Sequence, residues 1–447
     1  MTKPRDIAAS LVERVKRAEP GAQALVRVEV GSESFTRYAV NEITNAGETD
    51  IAEVVLTVAL GPKHATVRTS QLEPSAHEEL VTKALAMAKL VPDDPEWMPV
   101  LGPQAYREPG PAYDPATANV GPQLGADGAR AAIAIAKERG VLGAGFLTTA
   151  SWEIGLASSA GLNAEHKGSR AEVSSTARTT DGTGSGWAAL SSRRATDVDA
   201  RKVAARAVDK ALASQKPREL EPGKYTVVLE PACVALLVTF LAGAMDARAA
   251  EEQRSYFARP GGGTRVGERL LASGLSLKSD PFDAATPGAP FDHEGLALAP
   301  ATWFESGELK LLSRSRYWAK KAGGASTGRH ESFALAGKDG KSTVDELVGS
   351  VDRGLLVTRF WYVRWLEPKT MAITGLTRDG VFLIEKGKVT APVANFRFND
   401  APVRVLASAT GWTADTVSVP TYDRDAIVRA PALVAHDFFM ASKSAAV

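Results

Sequence analysis

The chain has 447 residues, 44% apolar and 23% charged. That excludes disorder as its main state and predicts two or three domains, because a single core stops growing near roughly 250–300 residues. Its 53 Lys+Arg balance 52 Asp+Glu, so no polyanion-binding surface is written into the totals, and one cysteine with six histidines excludes a disulfide framework and any all-cysteine metal site.

The start, Met1 to Asp6, lacks the apolar core and small-residue cleavage site of a signal peptide. Ile7, Leu11, Val12 and Val15 recur at helical spacing and predict a helix over 5–17. Alternation then takes over: Leu25, Arg27 and Glu29 sort onto one face of a strand, Val26, Val28 and Val30 onto the other. Further strands are predicted near 34–43, 51–60 and 63–69, and a helix over 75–91 with Leu80, Val81, Ala84, Leu85 and Ala88 on one face. The Pro-, Gly- and Asp-rich stretch 92–122 reads as a linker or a long ordered loop.

A third helix covers about 124–139. Strands follow near 142–149, 151–158, 161–167 and 170–180, then a turn-rich tip from Thr179 to Gly186. Val198, Val203, Ala204, Ala207, Val208 and Ala211 predict a helix over 197–214. A strand begins at Tyr225, and Pro231 opens an apolar helix to Met245, after which Asp246 to Arg254 turns polar and is expected at the surface. At 15 residues, Pro231 to Met245 is the longest uncharged apolar stretch, short of the about 20 that a membrane span needs. The expectation is a cytoplasmic chain with no membrane segment. Beyond about 255 the sequence is glycine-rich and strand-like. The fold class is α+β: an N-terminal α/β-type region of antiparallel strands with helices, then a large β-rich C-terminal domain. The expected divisions are 1–95, 96–220 and 221–447.

Three His-Glu pairs occur, His77-Glu78, His293-Glu294 and His330-Glu331. A zinc peptidase helix needs a second His about one turn on, so that both imidazoles reach one ion. The residues there are Val81 or Thr82, Ala297 or Leu298, and Ala334 or Leu335, so no pair completes the motif. His77 is expected on a solvated helix face. Cys233 sits at a helix start, where a thiol pKa can fall, but it has no histidine near it in sequence and reads as a small buried hydrophobe. Gly261-Gly262-Gly263 lacks the Lys-Ser/Thr of a phosphate loop and reads as a surface turn. Trp361 to Trp365 interleaves aromatics with Arg364; it reads as an alternating strand with one aromatic face rather than a stacking platform.

Several segments together resemble one family. They are Arg37 to Asn41, Gly186-Trp187 through Arg193-Arg194, Ala211-Leu212, Glu221 to Pro231, Asp280 to Asp283, Phe291 to Gly295, Ser326 to Arg329, Asp345 to Val357 and Thr374 to Asn399. Each is short, but their order over more than 350 residues resembles the TldD/PmbA family, and within it the TldE (PmbA) branch. In that family the TldD kind resembles a zinc metallopeptidase with a His-Glu-x-x-x-His helix and a C-terminal cysteine, and the TldE kind lacks those ligands and pairs with TldD. The metal helix falls where this sequence has Val234 to Met245, without His or Glu, and Thr413 to Val447 has no Cys.

The resemblance implies a non-catalytic subunit of a cytoplasmic zinc metallopeptidase complex. It carries no catalytic or metal-binding residue of its own, zinc is expected in a TldD-like partner, and a homodimer is a further possibility. The substrate is an unfolded or extended peptide, with no nucleic acid and no membrane. Two segments are expected to face substrate or partner: Thr374, Gly375, Thr377, Arg378 and Asp379, and the loop Asp292, His293 and Glu294. The alternatives are a stand-alone metallohydrolase with a site around His293 and His330, or a regulatory binding protein.

Overall fold

The first six residues of the first strand alternate between half-exposed Gln23, Leu25 and Arg27 and buried Ala24, Val26 and Val28, and that alternation gives the sheet a buried face for helices to cover. The computed structural model describes residues 3–421 and 426–444. Strands β1 (Gln23–Ala39), β2 (Glu42–Leu60), β3 (Lys63–Thr69), β4 (Val141–Ser158), β5 (Asn163–Thr179) and β6 (Ser185–Ser192) form an antiparallel six-stranded sheet in the order β3-β2-β1-β4-β5-β6. Helices α1 (Pro4–Ala18) and α2 (Pro74–Leu90) pack on Val26, Val28, Val54, Leu56 and Val58. After the single turn α3 (Pro115–Ala118), helices α4 (Gly121–Glu138) and α5 (Ala200–Ala213) cover Tyr38, Leu147, Val173 and Ala177 on the same face. Pro at the first helical position starts α1 and α2, and the Asp199 carboxylate caps α5 by accepting from the N–H groups of Arg201 and Lys202.

The strands are longer than the periodicity predicts. The expected pairs 142–149 with 151–158, and 161–167 with 170–180, are the single strands β4 and β5, in register from Val141↔Thr179 to Ala157↔Asn163. Small residues at the predicted breaks do not turn the chain. They let strands crowd: a Cβ on Gly31 would lie 2.1 Å from the Ser151 carbonyl. The expected division at 95 falls inside this sheet, because β1 pairs with β4 from Leu25↔Ser158 to Tyr38↔Gly145. His77, expected on a solvated face, is buried; it lies one turn before Leu80 and Val81 on the apolar stripe of α2.

The C-terminal half opens with β7 (Gly223–Leu229), α6 (Pro231–Ala244) and the short α7 (Ala247–Glu251). Asp246 to Arg254 reaches the surface, as expected, at Asp246 and again at Glu252 to Arg254, while α7 between them buries Ala247 and Ala250. Strands β8 (Leu275–Ser279), β9 (Ala301–Glu305), β10 (Glu308–Leu309), β11 (Phe333–Gly337), β17 (Val417–Ser418) and β18 (Val428–Ala430) make a second sheet. Strands β12 (Arg353–Glu367), β13 (Ala372–Glu385), β14 (Lys388–Val393), β15 (Phe396–Asp400), β16 (Ala409–Trp412) and β19 (Leu433–Lys443) join β7 in a third. There β12 pairs with both β7 and β13, so five strands close into a ring. Val234, Leu237, Val238 and Leu241 of α6 share one core with both sheets. Cys233 is fully buried there, and burial raises its thiol pKa.

Buried ion pairs join the two halves. Asp379 of β13 is 1% exposed; its carboxylate takes Arg359 Nε at 2.7 Å and the Ser185 hydroxyl of β6. Arg359 stacks between Trp187 (4.6 Å) and Trp361 (4.9 Å). Glu230, just before α6, accepts from Lys210 at 2.7 Å and Arg206 at 3.0 Å of α5. Segment 92–114 is an ordered strap: Glu96 binds Arg248 at 2.6 and 2.7 Å, and Tyr106 donates to the Gly295 carbonyl at 2.7 Å.

Removing one partner of a buried pair strands the other charge. Asp379→Ala is therefore expected to destabilise the protein by about 3–5 kcal/mol, read as a lower urea midpoint. Asp199→Ala, which removes only a helix cap, is expected to cost about 1 kcal/mol.

Candidate functional site

Helices cover one face of the first sheet; on the other, β1 to β3 present mostly polar side chains, while Trp152, Ile154 and Leu156 of β4 pack in an apolar cluster with Phe291. Arg27 and Glu29 of β1, Glu53 and Thr57 of β2, and Thr66 and Arg68 of β3 form the floor of a cleft of about 900 Å³. Its opposite wall is the Asp280 to His293 loop and the segment Arg329 to Ser332. The floor is a chain of alternating charge. Arg27 bonds Glu29 at 2.7 Å and lies 3.8 Å from Glu53, which bonds Arg68 at 2.9 Å.

The wall is organised by Asp292. One carboxylate oxygen accepts the N–H groups of Glu294 and Leu296, both at 3.0 Å, and the other accepts the Arg329 N–H at 3.2 Å. Burial pushes this carboxyl above the usual range. Asp292 thus ties the two wall segments together. His293 follows it with its ring largely exposed and lines the cleft. Glu294 turns away, to Arg316 at 2.8 Å. Of the expected loop, Asp292 and His293 line the cleft and Glu294 anchors its wall.

The other expected segment lies apart from the cleft, in the strand ring. Thr377 is fully buried, and its hydroxyl accepts the Phe396 N–H at 2.9 Å; Thr374 and Asp379 are buried as well. A Cβ on Gly375 would come within 2.6 Å of Val363. Arg378 keeps partial exposure and stacks on Trp361. Burial of Thr374, Thr377 and Asp379 removes the surface that a substrate-facing role at those positions requires. Trp361 to Trp365 also departs from simple alternation. The β12–β13 register slips between Trp361 and Arg364, Tyr362 has φ 56°, and Trp361, Tyr362, Trp365 and Leu366 are all exposed.

His330 lines the same cleft as His293. Its ring lies edge-on to Trp303 at 5.4 Å, its Nε2 is buried without a hydrogen-bond partner, and burial lowers its pKa to about 4. Among the described residues no group of three or more His, Cys, Asp and Glu side chains is placed to hold a metal ion. Around His293 and His330 the described side chains form no group of three donors of the kind a zinc site needs, and the buried side of α6 is aliphatic. No described helix is long and apolar enough to cross a membrane.

The chemistry missed from sequence is the floor. Arg27 and Glu29 were legible as one face of a strand, but nothing local pairs them with Glu53, Arg68 and a wall more than 200 residues away.

The PmbA/TldA metallopeptidase central domain matches residues 119–215, and the PmbA/TldA metallopeptidase C-terminal domain matches 222–441. The chain belongs to the PmbA/TldD family. Its fold is that of TldE from Thermococcus kodakarensis, with a TM-score of 0.86 at 20% identity over 97% of this chain and 99% of that one. A Thermotoga maritima protein described as a proposed modulator of a DNA gyrase gives 0.82 at 19% identity, covering 96% and 99%. A Bacteroides thetaiotaomicron protein described in the same way gives 0.81 at 20%, covering 98% of each chain. No match is found among curated proteins. The PmbA/TldD fold thus supplies the frame, with the polar cleft between its central sheet and C-terminal half.

Above its ordinary pKa of 6.5, His330 is neutral in both folded and unfolded chains. Below it, the unfolded chain takes up a proton that the folded chain refuses until about pH 4. Buried His166, lowered to about 3, acts in the same direction. Stability is expected to fall as pH drops from 6.5 towards 4, by at most about 1.4 kcal/mol per unit for each ring. Urea midpoints at pH 7 and 4.5 test this, and His330→Gln should make the fall shallower.

Proposed function

We propose that this chain is the non-catalytic, TldE-like subunit of a zinc metallopeptidase complex. In this reading the cleft receives an extended or unfolded peptide, and the catalytic zinc sits in a TldD-like partner. The observation that carries it is α6: its inward positions are Val234, Leu237, Val238 and Leu241, where a metal helix needs imidazole and carboxylate ligands on successive turns. Support also comes from the cleft. Its floor alternates Glu29, Arg27, Glu53 and Arg68, which suits polar main chain and mixed side chains rather than one small apolar ligand. In the partner, zinc would activate water for amide hydrolysis, and this chain would hold the substrate. His293, exposed on the cleft wall, is the side chain best placed to touch it.

Co-expression with a chain bearing His-Glu-x-x-x-His tests the reading. The expected result is that the two co-purify and that only the mixture cleaves a denatured protein. His293→Ala is expected to raise the KM of the mixture several-fold with little change in kcat. Peptide cleavage by this chain alone, or stoichiometric zinc lost on changing His293 or His330, would overturn it.

A further inference from the structure

Strand β2 runs from Glu42 to Leu60, but β3 pairs only with Val54–Leu60. Residues 42–53 are therefore the edge of the sheet, bonded to β1 on one side. On the other side their backbone has no hydrogen-bond partner among the described residues. Twelve extended residues span roughly 40 Å. Proteins commonly blunt such an edge with proline, lysine, or a covering helix or loop. This run, EITNAGETDIAE, has no proline and no lysine, and Glu42 to Asp50 is exposed at every position but Gly47.

Its charge selects the occupant. Glu48 and Asp50 stand on one face of the strand, exposed and without an ionic partner among the described residues; the β1–β2 register shift at Arg37/Tyr38 puts exposed Glu42 on the other face. Glu53, on the other side, is held by Arg27 and Arg68. A self-pair doubles the acidic charge of the edge, and one centred on Glu48 sets that carboxylate opposite its own copy with Asp50 diagonal to it, which disfavours self-pairing. A basic strand gains main-chain hydrogen bonds and loses that repulsion.

We propose that the free edge of β2, Glu42 to Glu53, is a strand-addition site for a basic extended polypeptide segment, with cationic side chains two positions apart facing Glu48 and Asp50. This goes beyond the cleft reading and does not depend on it. At Glu53 the edge reaches the cleft floor, so a segment running that way meets the end of β3 beside Arg68 and is turned off the edge at the rim.

Fluorescence anisotropy on the full chain tests this with ten-residue peptides and no catalytic partner. A peptide of alternating lysine and threonine is expected to bind at least tenfold more tightly than one of alternating glutamate and threonine. A lysine–proline peptide of the same charge, unable to form a strand ladder, is expected to bind at least tenfold more weakly. In the E42K/E48K/D50K variant, checked for folding by circular dichroism, the preference for lysine over glutamate should reverse. Equal binding of the lysine–threonine and lysine–proline peptides would reduce the contact to charge alone and overturn strand addition; this comparison uses only the unaltered chain. Undiminished lysine–threonine binding by the variant would overturn the assignment to this edge. A dimer in light scattering that dissociates in the variant, with no peptide bound, would assign the edge to a second copy and overturn the proposal.

Discussion

Asp379 has almost no exposed surface, yet three groups from two halves of the chain converge on it: Arg359, Arg378 and the Ser185 hydroxyl. A buried carboxylate cannot go unpaired without a cost of several kcal/mol. The strand ring must therefore present Arg359 where β6 presents Ser185, and this pins the C-terminal half against the first sheet. Glu230 with Lys210 and Arg206 repeats the device one helix away. Burial pulls the Lys210 ammonium below the ordinary lysine range, with the Glu230 charge opposing. Together these pairs set the spacing on which the cleft depends.

The cleft follows from that spacing and from the one-sidedness of the first sheet. Four helices cover one face; on the other, β1 to β3 bring arginines, glutamates and threonines to the cleft beside the apolar cluster that β4 forms with Phe291. Their mutual ion pairs neutralise the floor without covering it. Asp292 does the same work on the wall, spending its carboxylate on backbone N–H groups and leaving His293 free to point outward. The division of labour is physical. Buried carboxylates fix the frame, and exposed ones tune what the frame meets.

The apolar α6 belongs to the frame. The helix shares one core with two sheets, and its buried aliphatic side chains stabilise the C-terminal half through burial. Exposed Trp365 meets α6 through Phe240 at 4.9 Å, so the surface at Trp361 to Leu366 is mechanically continuous with that core.

Periodicity by itself established much of this protein. Helices over 5–17, 75–91, 124–139 and 197–214 lie within a few residues of those observed, because each carries a stripe of alanines, valines and leucines at helical spacing. The opposite faces of β1, the burial of Cys233 and the absence of a His-Glu-x-x-x-His motif were equally local and equally legible. Strand length was not, since Ala150-Ser151 and Gly168-Ser169 look like breaks until neighbouring strands hold them in register. Nor were the burial of Thr374, Thr377 and Asp379, the partner of Arg359, the meeting of Arg27 with a wall beyond residue 280, or the bare edge of β2. Each depends on which segments become neighbours when the chain closes. Side-chain pattern records how one element meets water, but distant partners are chosen by packing, which only the folded chain contains.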